Sequence, residues 1–442
     1  MHVPSKAQTR RSLRLSVLDG ALYAVMLGTS ESYLGAFAVA LGHDSQALAI
    51  LSTLPMVVGA FAQLLAGTVV RALGGHKRLV AAAAALQALA HLGFIAIALT
   101  SESALLPLLV TKVLFWTGAS IGAPAWSAWM AKLTARVPRE RYFARRSLIL
   151  NVVLLVSFLA AGGVLELGRA SERTLPAFAL LFAAALVARA LSATALALKH
   201  DPGGDIAGAL TVVTRAREAF RVPGARIAVV LALLHLGTYV SAPFYTPFML
   251  QRLEMGYLEF SLLTAVSILA KALSFLLWRH ASRRFGLLFV LVAGVSGATT
   301  LALMWALHPS FGMILGAQAL GGLSWGAVEF ASFQLLLKTT RDDLRVEFFS
   351  LSNCLTGAAQ LAGALTGGAL LERGLLDYQP LFLISSAGRA LSLLALFGAP
   401  AALLVVKPTA ALVTRMLSVR PSAGAVARPL VDNEGDERSG AE

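Results

Sequence analysis

The sequence predicts an all-α, polytopic membrane protein with twelve transmembrane helices, arranged as two pseudo-symmetric six-helix bundles. Three observations support this fold class: an apolar composition, a regular series of long apolar runs, and an internal repeat. Of the 442 residues, 57% are hydrophobic and only 14% are charged, and the mean hydropathy is +0.74. Soluble domains carry about 25% charged residues, so this composition is typical of a chain that lies largely in lipid.

Twelve apolar runs are long enough to cross a bilayer, which takes roughly 20 residues each. We expect every run to be helical, because lipid offers no hydrogen-bond partner for backbone N–H and C=O groups. The approximate limits of the predicted spans are 16–41, 46–70, 79–99, 104–130, 147–168, 175–198, 227–250, 257–278, 286–307, 311–337, 348–371 and 381–406.

The basic residues between the spans predict the orientation. If the N-terminus is cytoplasmic, 29 of the 37 Lys and Arg residues fall in the tails and cytoplasmic loops, four in the outer loops and four inside spans. Basic segments resist translocation, so both termini are predicted to be cytoplasmic, in a multi-pass protein of the cytoplasmic (inner) membrane. The net charge of +14 comes from short clusters between apolar runs, which does not favour nucleic-acid binding.

An internal repeat divides the chain. The segment 27–32 (LGTSES) matches 236–241 (LGTYVS), Gly118 and Gly122 match Gly322 and Gly326, and Phe143 matches Phe349, at offsets of 209, 204 and 206 residues. Matches in the same order at nearly constant offset indicate two copies of a six-helix unit. The predicted units are a cytosolic tail (1–15), an N-terminal bundle (16–198), a cytosolic linker with an amphipathic helix (199–226), a C-terminal bundle (227–406) and a disordered cytosolic tail (407–442).

With this repeat and the long cytosolic linker, residues 12–406 resemble the major facilitator superfamily. The loop after span 2 follows the family pattern at Gly67, Gly74 and the basic pair Lys77-Arg78, but Arg71 stands where the family has an aspartate. The stretch 124–146, with two Trp residues followed by an Arg-rich segment, is similar to a bacterial subgroup of the superfamily.

The resemblance implies a transporter that works by alternating access, with a central cavity lined by spans 1, 4, 7 and 10. It also implies that the loop containing Gly67, Arg71, Gly74, Lys77 and Arg78 is a cytoplasmic gate. Binding near the midplane at a repeat interface is consistent with that mechanism, because rocking of one bundle against the other exposes the same site to either side.

Ionisable residues inside spans are costly and usually functional; here they are Glu31, Lys112, Lys271, Glu329 and Arg389. One hypothesis makes Glu31 the proton-coupling carboxylate, because burial and a nearby Lys112 would act on its protonation in opposite directions. The alternative is a structural Glu31–Lys112 ion pair that only fixes helix register.

A second hypothesis assigns Lys112, Lys271 or Arg389 to an anionic group of the substrate, because a buried cation favours a carboxylate or phosphate partner. The alternatives are a Lys271–Glu329 ion pair at similar depth and a structural role for Arg389 on a peripheral span.

Span 7 carries a polar stripe formed by His235, Tyr239 and Tyr245, with Thr238 and Ser241 alongside. These side chains could hydrogen-bond and stack on a substrate, or they could form a polar seam between helices.

The sequence carries no motif of a catalytic, metal or nucleotide site, so we expect no cofactor, no metal and no enzyme activity. The single cysteine excludes an intrachain disulfide. The predicted function is proton-coupled secondary transport of a small organic solute by a monomer. The alternatives are a non-transporting sensor or scaffold on a transporter fold, and a polytopic membrane enzyme.

Overall fold

The computed structural model describes residues 6–101, 103–134, 139–201, 218, 221–222, 224–307, 310–340 and 345–397. In this part of the chain the regular structure is helical. The predicted linker (199–226) and the C-terminal tail (407–442) lie mostly or entirely outside the described residues.

The first half of the chain forms the helices of the N-terminal bundle. In chain order these are α1 (Lys6–Thr29), α2 (Leu34–Ala40), α3 (Ser45–Leu64), α4 (Ala66–Leu73), α5 (His76–Thr100), α6 (Leu105–Leu133), α7 (Arg139–Ala170) and α8 (Thr174–Ala197). Helix α1 begins ten residues before the predicted start of span 1 at residue 16. The predicted N-terminal tail is therefore largely helical.

The second half forms the C-terminal bundle. Its helices are α9 (Gly224–Tyr239), α10 (Tyr257–Ala306), α11 (Phe311–Thr339), α12 (Arg345–Glu372) and α13 (Tyr378–Phe397), and α9 continues through the short turns Ala242–Phe244, Tyr245–Pro247 and Phe248–Arg252.

Ten helical segments of the described chain are long and apolar enough to cross a membrane. One of them, α10, has 50 residues and leaves helical geometry at Gly286, where φ is 86°. At 1.5 Å per residue it is about 75 Å long, more than twice the hydrocarbon thickness of about 30 Å, so it contains two of the predicted spans. The predicted first span, which is interrupted after Thr29, is not among the ten segments. These two differences explain why the structure has ten such segments where the sequence predicts twelve spans.

The repeated sequence segments coincide with a repeated break in the helices. Helix α1 ends at Thr29 and a 3₁₀ turn follows at Glu31–Tyr33, while α9 ends at Tyr239 and a 3₁₀ turn follows at Ala242–Phe244. Each break frees backbone groups, which have to be satisfied inside the protein in a membrane helix. A polar side chain of another helix reaches each break, as described below.

The two bundles meet on one side of the membrane. We call the side where Lys6 begins α1 the terminal side, and the other the far side. On the far side a single core cluster contains aromatic residues of both bundles, namely Phe37, Phe94, Phe158, Phe248, Phe260 and Phe382. The Tyr33 hydroxyl donates to the Phe158 carbonyl (2.7 Å) and also contacts the Ser261 hydroxyl of the other bundle.

On the terminal side the core divides. One cluster contains residues of the N-terminal bundle such as Val70, Leu79 and Trp129. A separate cluster contains residues of the C-terminal bundle such as Leu287 and Phe348. The bundles therefore share a core on the far side and keep separate cores on the terminal side.

Small residues allow close approach between neighbouring helices. A Cβ atom added at Gly322 of α11 would overlap the Ser267 carbonyl oxygen of α10 and lie 2.8 Å from the Lys271 nitrogen. Glycine at this position therefore sets how closely α10 and α11 pack, as small residues do at other membrane helix contacts.

We expect Gly322→Ala to lower the thermal midpoint of unfolding in detergent, because overpacking costs about 1–3 kcal/mol. Gly316→Ala on the same helix is the matched control, since the nearest atom to its added Cβ is 3.6 Å away, and its midpoint should stay near the wild-type value. Similar midpoints for the two variants would contradict this account of the α10–α11 contact.

Candidate functional site

A cavity of about 230 Å³ lies between the two bundles. It has room for roughly eight waters at about 30 Å³ each, or for a small organic molecule. Its lining includes six of the seven cavity residues predicted from the sequence, together with Arg389: Glu31, Lys112, Tyr239, Tyr245, Lys271 and Glu329.

Glu31 is held in the cavity by the break after α1. It begins the 3₁₀ turn between α1 and α2, and its Oε2 atom is buried without a hydrogen-bond partner. Lys112 of α6 lines the same cavity and interacts electrostatically with Glu31. The ion pairs among the described residues do not include these two side chains. The carboxylate is therefore near a cation and is not fixed by it.

Lys271 of α10 and Glu329 of α11 form a hydrogen-bonded ion pair in the cavity wall. Their side chains are 10% and 12% exposed. Both residues belong to the C-terminal bundle, so the pair joins two helices of one bundle. This geometry corresponds to the ion-pair alternative for Lys271.

Arg389 of α13 is 1% exposed and reaches the second helix break. Its Nη1 donates to the Ala298 carbonyl (2.6 Å), and its Nη2 donates to the Ser241 hydroxyl (3.1 Å) and the Tyr245 hydroxyl (3.4 Å). Its Nε has no hydrogen-bond partner, and no ion pair of the described residues involves it. Arg389 thus contributes an uncompensated positive charge beside the cavity.

The polar stripe of span 7 is divided between two environments. Tyr239 and Tyr245 line the cavity, and the Tyr245 ring stacks on Phe382 at 4.9 Å between centroids. His235 is not part of the lining. It is buried, its Nδ1 lies 2.8 Å from the Leu231 carbonyl oxygen, and its ring packs 5.6 Å from Trp325.

The predicted gate loop connects α4 to α5 on the terminal side. Gly74 caps α4 in the left-handed conformation, with φ 73°, which explains a glycine there. Gly67 lies at the start of α4 and Lys77 in the first turn of α5. Arg71 hydrogen-bonds weakly to Thr68 (3.5 Å), and Arg78 donates to the Leu73 carbonyl (3.1 Å), so both hydrogen bonds are local.

A second cavity, of about 170 Å³, lies within the N-terminal bundle. Asp19 lines this cavity. Its carboxylate oxygens lie 4.0 Å from a side-chain nitrogen of Arg146, 3.9 Å from one of Arg189 and 4.0 Å from that of Lys199. Burial lowers the pKa of Lys199, which follows α8, to about 8, although Asp19 opposes that shift. We call this group, which the sequence pattern does not predict, the Asp19 cluster (Asp19, Arg146, Arg189 and Lys199).

Polar side chains connect the first helix break to the Asp19 cluster. His91 of α5 contacts the Ser30 hydroxyl through Nε2 (3.1 Å) and the Gln87 carbonyl through Nδ1 (2.7 Å). The Gln87 side-chain oxygen accepts from Arg189 (2.7 Å). Ser192 accepts from Arg189 (2.6 Å) and donates to Asp19 (2.7 Å). The result is a series of buried polar groups from the first helix break to the Asp19 cluster, in which the backbone carbonyl and the side chain of Gln87 take part separately.

The Lys271–Glu329 pair leads to a stability prediction. Glu329→Gln should lower the unfolding midpoint clearly, because breaking a buried ion pair costs about 3–5 kcal/mol. The double variant Lys271→Met/Glu329→Gln should recover most of that loss, because it removes the stranded cation.

Arg169→Gln is the matched control, since the Arg169–Glu166 pair is 51% and 27% exposed and such surface pairs contribute about 1 kcal/mol or less. A double-mutant cycle with purely additive effects would contradict a coupled pair.

Comparisons with known proteins address the fold. No protein-family model matches this sequence, and no curated protein sequence is significantly similar to it. Among the described residues, no group of three or more His, Cys, Asp or Glu side chains is placed to hold a metal ion.

Solved structures do match. The chain is similar to the nucleoside transporter NupG, with 13% identity, a TM-score of 0.67, and coverage of 89% of this chain and 98% of that one. It is similar to a D-xylose-proton symporter, with 14% identity, a TM-score of 0.68, and coverage of 88% and 97%.

A bacterial homologue of the iron transporter ferroportin matches in two states. The inward-facing structure gives a TM-score of 0.62 at 16% identity, covering 89% of this chain and 99% of that one. The outward-facing structure gives 0.58 at 18% identity, covering 88% and 98%. At sequence identities this low, the similarity shows a shared fold. The protein is a multi-pass membrane protein with the fold of these transporters, which is the fold that the resemblance to the major facilitator superfamily predicts.

Proposed function

We propose that the protein is a secondary active transporter that moves a small organic solute across the cytoplasmic membrane by alternating access, coupled to protons. The observation that carries the proposal is the cavity between the two bundles, whose wall contains the buried, unpartnered carboxylate oxygen of Glu31. Neighbours in fold include a D-xylose-proton symporter and a nucleoside transporter, and they support the same class of function.

The packing supports alternating access. The bundles share one core on the far side and have separate cores on the terminal side, so the cavity is closed on the far side. If the termini are cytoplasmic, as the basic loops predict, this is an inward-facing arrangement. The higher TM-score with the inward-facing ferroportin homologue is consistent with it.

Glu31 is the best candidate for the proton-coupling group. The Oε2 atom of Glu31 is buried and has no hydrogen-bond partner, and Lys112 interacts with Glu31 electrostatically without forming an ion pair. A change of access state that alters the distance between α6 and the turn that holds Glu31 would alter this interaction. We propose that the coupled proton is taken up and released there.

The cavity wall also supports a class of solute. Its described ionisable lining residues are two carboxylates, Glu31 and Glu329, and three cations, Lys112, Lys271 and Arg389. This surplus of one positive charge favours a solute with an anionic or strongly hydrogen-bonding group. Trp116, Trp305 and Trp325 lie on the same wall and favour an apolar or aromatic body.

A transport assay tests the proposal. Purified protein is first screened by thermal shift against nucleosides, D-xylose and aromatic carboxylic acids, because a ligand stabilises in proportion to its occupancy. Uptake of the best stabiliser is then measured in proteoliposomes with and without a pH gradient. We expect wild-type uptake to rise with the gradient, and Glu31→Gln to bind the solute while losing that dependence.

Glu372→Gln, which changes an exposed carboxylate at the end of α12, is the control and should behave as wild type. Full proton dependence in Glu31→Gln would refute the coupling role. Equal uptake by protein-containing and empty liposomes would favour the sensor or scaffold alternative.

A further inference from the structure

We infer that the second cavity, inside the N-terminal bundle, is a binding site for a small oxyanion, which Arg146 and Arg189 hold. The ligand class is a carboxylate, phosphate or sulfate group. This site is separate from the cavity between the bundles, and the inference does not depend on which solute is transported.

The charges of the cluster do not balance. Asp19 is its carboxylate, and the three cationic neighbours lie 3.9–4.0 Å from it, with side chains that are 13% exposed for Arg146, 9% for Arg189 and 0% for Lys199. Each cation lies 4.5–4.8 Å from the centroid of an aromatic ring, which offsets its charge in part. The remaining surplus of two positive charges away from bulk water favours an anion at this place.

Asp19 makes no hydrogen bond to its cationic neighbours. Its Oδ1 accepts from Ser192, and its distances to the three cations are ion-pair distances longer than a hydrogen bond. The Nε of Arg146 donates instead to the Ser16 carbonyl (3.0 Å), and the Nε of Arg189 donates to Gln87 (3.0 Å). The two arginines are therefore held in place by neutral acceptors, and Lys199 Nζ is buried without a hydrogen-bond partner.

Gln87 offers an unused hydrogen-bond donor. Gln87 is fully buried, and its Nε2 has no hydrogen-bond partner. Its orientation follows from Arg189, which donates to the side-chain oxygen and so leaves the amide nitrogen as the remaining donor. Gln87, Arg146 and Arg189 all line the second cavity, so a neutral donor and two guanidinium groups share one wall.

The cavity has room for a ligand. Its volume is about 170 Å³, enough for roughly six waters at about 30 Å³ each or for one small oxyanion. Small residues of the lining leave this room, among them Ala83, Gly118, Ala119, Gly122 and Ala123. An anion can therefore enter without displacing a large side chain.

Anion binding to the full-length protein in detergent tests the inference. Sodium sulfate, sodium phosphate and sodium acetate are titrated against sodium chloride at constant ionic strength, and the unfolding midpoint and calorimetric affinity are measured. We expect at least one oxyanion to give saturable stabilisation beyond chloride. Arg146→Gln should weaken its affinity by about tenfold or more, because it removes a charge-assisted interaction.

Two further variants separate binding from a purely structural role. Asp19→Asn should tighten binding, because it raises the surplus charge to three while the side-chain oxygen can still accept from Ser192. Ala119→Leu should abolish binding, because it fills the cavity and changes no charge. Arg169→Gln, at an exposed ion pair, should bind as wild type.

The inference is overturned if none of the three oxyanions stabilises wild-type protein beyond chloride. It is also overturned if Ala119→Leu binds with wild-type affinity, or if Asp19→Asn weakens binding while remaining folded. Wild-type anion affinity in Arg169→Gln, together with loss of binding in Ala119→Leu, would place the anion in the second cavity.

Discussion

An ionisable side chain inside a membrane needs water or a partner, and this requirement organises the interior of the protein. Lys271 meets it with Glu329. Arg389 meets it with a carbonyl and two hydroxyl groups at a helix break. Glu31 meets it only in part, because one buried carboxylate oxygen has no hydrogen-bond partner. Glu31 and Arg389, whose side chains each carry such an atom, line the cavity between the bundles, and Gln87 lines the second cavity.

The helix breaks follow from the same requirement. In each bundle a span is interrupted near its middle, at Ser30 and at Ser241, and a polar residue from another span contacts the interrupted segment. The contact is His91 in the N-terminal bundle and Arg389 in the C-terminal bundle. The repeat thus preserves the backbone feature while the residue that satisfies it differs. The N-terminal version continues through Gln87 to the Asp19 cluster, so the two bundles are electrostatically unequal.

Hydropathy was enough to predict the helical class and the limits of most spans, because lipid imposes both helix length and helix type. The ion pair of Lys271 was one of two alternatives that the sequence left open, since depth along a span is readable but the facing direction is not. The Asp19 cluster could not be predicted, because Arg146 and Lys199 lie at span ends and resemble ordinary loop cations. His235 shares the spacing of a cavity stripe, but it lies one turn before Tyr239 on α9 and packs against Trp325 without lining the cavity.

The distribution of contacts between and within bundles bears on the proposed cycle. The Lys271–Glu329 pair and the Asp19 cluster each lie within one bundle, so rocking would leave them intact. In the described part of the chain, the contacts that join the two bundles on the far side are hydrogen bonds and apolar packing, not ion pairs. Tyr33 with Ser261, and the Leu258 amide with Glu166 (3.4 Å), are hydrogen bonds surrounded by aromatic packing.

A single hydrogen bond contributes about 1 kcal/mol net, and the Leu258 bond lies at an exposed position where water can replace it. Opening the far side would therefore mainly cost the aromatic packing. Because that packing involves no ion pair between the bundles in the described residues, the apolar packing mainly sets the differential binding free energy that a solute or a proton has to supply to change the access state.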